Sequence, residues 1–325
     1  MMISFALHRY AFSVSAACVL LAGCGGSQRP IGAPDATPQT ANTKSETFYY
    51  TGEQQSFIVP SGVKRITVTA MGAGTPSAHG GLVAAKIAVQ PGESLAIFVG
   101  GAPKGMQGGY NGGGTGGYCN LSNYPSCPLV GEGGAGASDV REGGNSVKNR
   151  VLVAGGAGGT GGKGQHHGGV GGGGGGLTGI HGHAGKGCFI ASHDATVGGG
   201  GGGGGGKQTK GGIGGKGGTT NNENVVVPGV KGAKGTLAIG GTGASNAYGD
   251  LLAGGAGGGG GGGYYGGGGG GSGASGCSPP PCYGAGVGSG GGGGGGSSFV
   301  ETSAKNVTML KGGGSAGSGE VIISW

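Results

Sequence analysis

The chain has 325 residues, of which 100 are glycine, 10% are charged and 6% are aromatic, and its formal net charge is +7. Glycine at nearly a third, without a Gly-X-Y period and with only 13 prolines, excludes a collagen triple helix. No Lys/Arg cluster with interleaved aromatics occurs, which argues against a nucleic-acid partner.

The first element is a leader. Residues 1–23 open with a short basic stretch (His8, Arg9) and run into an apolar core, 11–21, too short to span a bilayer. That core ends in LAGC (21–24), which closely resembles a bacterial lipobox, so Cys24 is the expected lipidation (palmitate) site and the lipid the link to a membrane. A plain signal peptide cut nearby is the rival reading. Gly25 rather than Asp after the cysteine points to the outer membrane or cell surface. Residues 24–47 are polar, Pro-spaced and without period, and read as a flexible tether.

From residue 48 the pattern changes. Apolar residues alternate at Phe57 and Val59 and again at Ile66, Val68 and Ala70, and PSG (60–62) between them predicts a hairpin with one buried face. GLVAAKIAVQPGESLAIFVGG repeats the design, with Val83, Ala85, Ile87 and Val89 before the QPGE turn and Leu95, Ile97 and Val99 after it. RVLVAGG (150–156), SSFVET (297–302) and GEVIISW (319–325) supply further strands, and no amphipathic stretch of helix length follows the leader. Short strands with Gly/Pro turns predict an all-β, antiparallel sandwich. Because the last strand lies beyond the glycine block, the first and last strands are expected to pair.

Residues 155–296 hold 68 of the 100 glycines. By composition alone such a block is a mobile linker. Held at both ends by strands of one domain, 48–325, it is instead expected to be an ordered insertion. Extended polyglycine takes a left-handed turn of three residues whose N–H and C=O groups all point outward. Without side chains, several such helices approach closely enough to bond one another, giving a bundle of polyglycine II helices with glycine-rich loops. The runs 171–176, 198–206, 257–263 and 291–296 are expected inside it, and Tyr264 and Tyr265 are expected to cap it against the sandwich.

Cysteine use fits an oxidising compartment. Local loops favour pairing Cys119 with Cys127 (CNLSNYPSC) and Cys277 with Cys282 (CSPPPC), leaving Cys188 as the odd thiol. Imidazoles collect at His166, His167, His181 and His183, the last two as a His-x-His pair that would share one side of an extended segment. Zn or Cu ions suit such ligands, although no C-x-x-C or H-E-x-x-H spacing accompanies them and a solvated cluster is the rival reading. Asp139 and Arg141, two apart, share a strand face and read as a structural ion pair. Ser297 and Ser298 lack a G-x-S-x-G context, and Tyr49, Tyr50, Tyr110, Tyr118 and Tyr124 are candidates for stacking on sugars.

In order along the chain, FYYTGEQQSFIVPSGVKRITVTAMGAG, GGYNGGGTGG, GGAGASDVR, RVLVAGGAGG, GGGGGGYYGGGGGGSG and GGGGGSSFV resemble the glycine-rich domain family. Its members include the extracellular domains of the anaplastic lymphoma kinase and leukocyte tyrosine kinase receptors. The resemblance covers roughly residues 47–325 and implies a jelly-roll-like sandwich with inserted polyglycine helices, and in the receptors a ligand-binding role. The kinase does not carry over, since no V-A-I-K, H-R-D or D-F-G motif and no G-K-[ST] triplet occurs. The sequence thus predicts a non-catalytic bacterial surface lipoprotein for binding or adhesion, without a cofactor, with a protein or glycan ligand. An envelope scaffold is the alternative, and oligomeric state is open.

Overall fold

The computed structural model describes residues 43–120, 129–190, 195–219, 226–247, 254–276, 286–314 and 316–325. Its folded unit runs Thr43–Trp325. Seventeen strands, β1–β17 in chain order, and one 3-10 turn, Val147–Asn149, make the described residues all-β. One five-stranded sheet has the order β1 (Ser45–Tyr49), β17 (Glu320–Ser324), β3 (Arg65–Met71), β4 (Leu82–Ala88), β16 (Lys305–Leu310). The other runs β15 (Phe299–Val300), β8 (Arg150–Ala154), β7 (Ser138–Arg141), β5 (Ser94–Phe98), β2 (Gln55–Ile58). Every pairing within the two is antiparallel. The first and last strands do pair, with Phe48 opposite Val321. β1 opens at Ser45, inside the stretch read as tether.

Both sheets contribute to one apolar core, with Ile66, Val83 and Ile323 from the first and Leu95, Val140 and Leu152 from the second fully buried. The period-2 pattern that predicted these strands is the burial pattern seen, as in β3, where Ile66, Val68 and Ala70 face inward. The two expected hairpins do not form. β2 pairs with β5, Phe57 opposite Leu95, and β3 with β4, Ile66 opposite Ile87. The PSG and QPGE turns therefore carry the chain from one sheet to the other. Alternation identifies the face each strand buries but not its partner, and the strands flanking each of these two turns bury their faces in the shared core instead of pairing edge to edge.

The glycine block is ordered by its backbone. In 287–298, Gly290, Gly293 and Gly296 donate to Gly162, Gly159 and Gly156, while Gly291 and Gly294 donate to Gly271 and Gly268. Gly292 and Gly295 donate in a third direction, to His183 and Ile180. Carbonyls of the same segment accept in turn, for example at Gly293 from Gly172, at Gly292 from Gly203 and at Gly291 from Gly258. Each direction recurs every third residue, so this one segment is bonded to six others. Segments 254–263 and 265–274 are surrounded in the same way. Around these central three, nine more close a ring in which each is bonded to the next: 112–118, 129–136, 156–164, 168–176, 179–187, 198–206, 210–219, 229–236 and 238–245.

Sequence follows position. The central segments are almost pure glycine because a Cβ there would overlap a neighbouring carbonyl: at Gly261, Gly268 and Gly294 it would come closer than 3.0 Å to the oxygens of Gly156, Ile213 and Gly204. Ring segments carry side chains on their open side at every third residue, as at Lys210, Ile213, Lys216 and Thr219, all exposed. Of the runs expected inside, 257–263 and 291–296 are central, whereas 171–176 and 198–206 belong to the ring. A third run, 266–271, is central as well.

Candidate functional site

Two regions bring side chains together around the glycine segments. The first is the joint to the sheets. Arg150, at the start of β8 and buried, donates from Nη1 to the Gly263 carbonyl at 2.9 Å and from Nη2 to the Tyr264 carbonyl at 3.1 Å. Its guanidinium lies 5.2 Å from the Tyr264 ring centre, and that ring stacks on Phe299 of β15 at 4.1 Å and 11°. Tyr265 packs edge-on against Tyr264, and Ser297 ties both tyrosines to the last central segment through its carbonyl, amide and hydroxyl. Burial lowers the pKa of Arg150, a shift partly opposed by the charge of Asp139. The tyrosines of the glycine run thus pin the turn between two central segments to the second sheet.

Beside this joint, Arg141 and Asp139 form a buried ion pair, Nε to Oδ1 at 2.6 Å and Nη2 to Oδ2 at 3.1 Å. Asn111, in a left-handed conformation with φ of 66°, donates from Nδ2 to the same carboxylate at 2.8 Å and accepts from Arg141 Nη2 at 3.2 Å. The guanidinium also lies 3.7 Å from the Phe98 ring centre. The predicted ion pair is therefore a satisfied structural knot that leaves no free carboxylate for chemistry. Ser297 and Ser298 are buried and committed to backbone partners, Ser298 accepting from Gly155 N at 3.1 Å. Among the described residues, neither serine is placed as a nucleophile.

The second region is the opposite end of the glycine segments. The turns 176–179, 206–210, 236–239 and 263–265 lie on the sheet side, the first two bonded to Ser298 just before β15 and the third bonded through Ala238 to Tyr264. The far end holds the turn 164–168 and the short strands. β6 (Cys119–Asn120) pairs with β12 (Asn246–Ala247), β9 (Cys188–Ile190) with β10 (Ala195–Val197), and β13 (Ser275–Gly276) with both β11 (Val226–Val227) and β14 (Gly286–Val287). Phe189 and Tyr118 are exposed there, and Cys188, Val197 and Ala274 form a small buried cluster.

Cys24, Cys127, Cys277 and Cys282 lie outside the described residues, and only the backbone of Cys119, in β6, is described, so both expected disulfides fall outside them. Cys188 is free and buried, and burial raises its thiol pKa. His166 and His167 lie in the turn 164–168, His181 and His183 on segment 179–187. Among the described residues no three His, Cys, Asp or Glu side chains assemble to hold a metal. The shared side expected for the His-x-His pair assumed a period of two; the bonds from Ile180 and His183 to one neighbouring segment show a period of three, which separates positions 181 and 183. Of the tyrosines, Tyr50 and Tyr110 are neighbours at 6.2 Å on the sheet side, where burial raises the Tyr110 pKa, while Tyr118 stands at the far end and Tyr124 lies outside the described residues.

No protein-family model matches the chain, and no curated protein matches it either. Among the described residues, no helix is long and apolar enough to cross a membrane.

Proposed function

We propose that this chain is a lipid-anchored bacterial surface protein of the glycine-rich domain family, without catalytic activity, that displays a binding or adhesive end on a rigid stalk. In this reading the two sheets are a jelly-roll-like sandwich and the twelve glycine segments are a bundle of polyglycine II helices. The three-residue hydrogen-bond period, the six-fold surroundings of the central segments and the chain's crossings between the sheets support it. Segments of about ten residues at ~3.1 Å each make a stalk of about 30 Å.

The observation that carries the functional reading is polarity along the molecule. Register puts Ser45 opposite Ser324 and Ser324 opposite Thr67, at the sheet end away from the glycine segments, while Tyr49 and Glu320 sit at the end toward them. The described chain enters its sheet at the end opposite the far-end strands, so an anchor on Cys24 would attach away from them. Loops carried on a rigid scaffold are where binding residues concentrate.

The test is protease shaving of intact cells alongside labelling with a palmitate analogue. The expected result is a labelled chain cut on intact cells, and a Cys24→Ser variant that takes no label. Protection until lysis would contradict surface display and favour the envelope scaffold; label retained by Cys24→Ser would contradict the anchor.

A further inference from the structure

We propose that the flank of the bundle formed by segments 179–187, 198–206, 210–219 and 229–236 binds a linear anionic polysaccharide, at a surface separate from the far-end loops. Charge carries the assignment. Lys186, Lys207, Lys210, Lys216, Lys231 and Lys234 are all exposed, and these four segments and the turn bearing Lys207 contain no Asp or Glu. On another part of the ring, Lys163 shares its groove with Glu132. Among the described residues the basic flank has no such counter-charge, so its field favours an anionic partner.

The spacing fits a polymer. Lys210 and Lys216 stand on either side of Ile213 at three-residue intervals, and Lys231 and Lys234 are three apart. At ~3.1 Å per residue, charges recur at multiples of about 9 Å along parallel rows. A repeating acidic chain matches such rows better than one compact anion does.

The floor fits a saccharide. Segment 198–206 is all glycine although it lies on the ring, where a Cβ at Gly201 or Gly204 would find its nearest atoms at 3.0 and 3.1 Å, without the carbonyl overlap that bars side chains at the centre. Ring segments in equivalent places carry Thr160 and Lys163, or Ile239 and Thr242. Glycine at these two positions avoids a close contact, not a carbonyl overlap, and it also lets another molecule approach the backbone closely. Neither the N–H nor the C=O of Gly199 and Gly202 is bonded among the described residues, which leaves donors and acceptors for hydroxyl groups along the floor. The four segments contain no Phe, Tyr or Trp, so a nucleic acid would find phosphate contacts and no ring to stack on.

Binding of the purified full-length chain to immobilised polygalacturonate, oligothymidylate and neutral dextran tests this. Saturable binding to polygalacturonate is expected, weakened about tenfold or more by raising salt from about 50 to 500 mM. The quadruple variant Lys210→Glu, Lys216→Glu, Lys231→Glu, Lys234→Glu is expected to lose about tenfold or more in affinity, with an unchanged melting temperature, and Lys163→Glu to bind as before. No binding to polygalacturonate, or undiminished binding by the quadruple variant, would overturn the proposal. Equal affinity for oligothymidylate would replace the polysaccharide by a nucleic acid, and equal affinity for dextran would remove the role of charge.

Discussion

Gly261→Val is expected to destabilise the chain by about 3 kcal/mol or more, or to prevent folding, whereas Gly173→Ala changes its stability by less than about 1 kcal/mol. Both replace a glycine in a glycine run, and the added Cβ alone already separates the two positions. At Gly261 the new Cβ would overlap the Gly156 carbonyl, and the residue also donates to Gly294 and accepts from Gly267, so relief by movement breaks bonds in more than one direction. At Gly173 the nearest atom is the Ile180 Cδ1 at 3.2 Å, the tip of a side chain that can turn away. Denaturant midpoints at matched slopes read the difference. Equal midpoints for the two variants would mean that the central segments are not held by backbone contact.

Arg141→Met is expected to lose about 3–5 kcal/mol, because it leaves the Asp139 carboxylate buried with Asn111 as its remaining side-chain donor. Asp139 is 1% exposed and Arg141 5%, so water does little to replace the lost partner. Adding Asp139→Asn to Arg141→Met is expected to restore part of the loss by removing the unpaired charge. A loss below about 1 kcal/mol for the single variant, measured by urea unfolding, would show that the knot is dispensable.

The sheets were legible in the sequence wherever a strand buries one face. Ile66, Val68 and Ala70, or Ile87 and Val89, announce themselves by alternation because each contributes alternate residues to one core. Beyond the first and last strands, pairing was not legible, since the same alternation is satisfied by a hairpin or by a crossing between sheets. β16 was not legible because Lys305–Leu310 is an edge strand with no fully buried residue, so its sequence carries no inward face.

The glycine block was legible in kind and less so in arrangement. A pure run such as 291–296 shows that the backbone must be approached from all sides, and the GGX repeat of 211–219 shows the one open side of a ring segment. Segment 198–206 departs from that repeat at Gly201 and Gly204, where a Cβ would meet its nearest atoms at 3.0 and 3.1 Å instead of overlapping a carbonyl. The joint was half legible: Tyr264 and Tyr265 stand out inside glycine, but their partners Arg150 and Phe299 are 114 and 35 residues from Tyr264. Sequence pattern does not reach across such separations.

The most direct test of the account is residue-resolved amide hydrogen exchange of the intact chain. The account predicts that Gly292, Gly293 and Gly294 exchange as slowly as Ile66 and Val68 in the core, while Gly199 and Gly202, on the ring, exchange fast between protected neighbours at Gly200 and Gly203. Uniformly fast exchange across 254–298, at the rate of the tether, would contradict it and make the glycine block a linker.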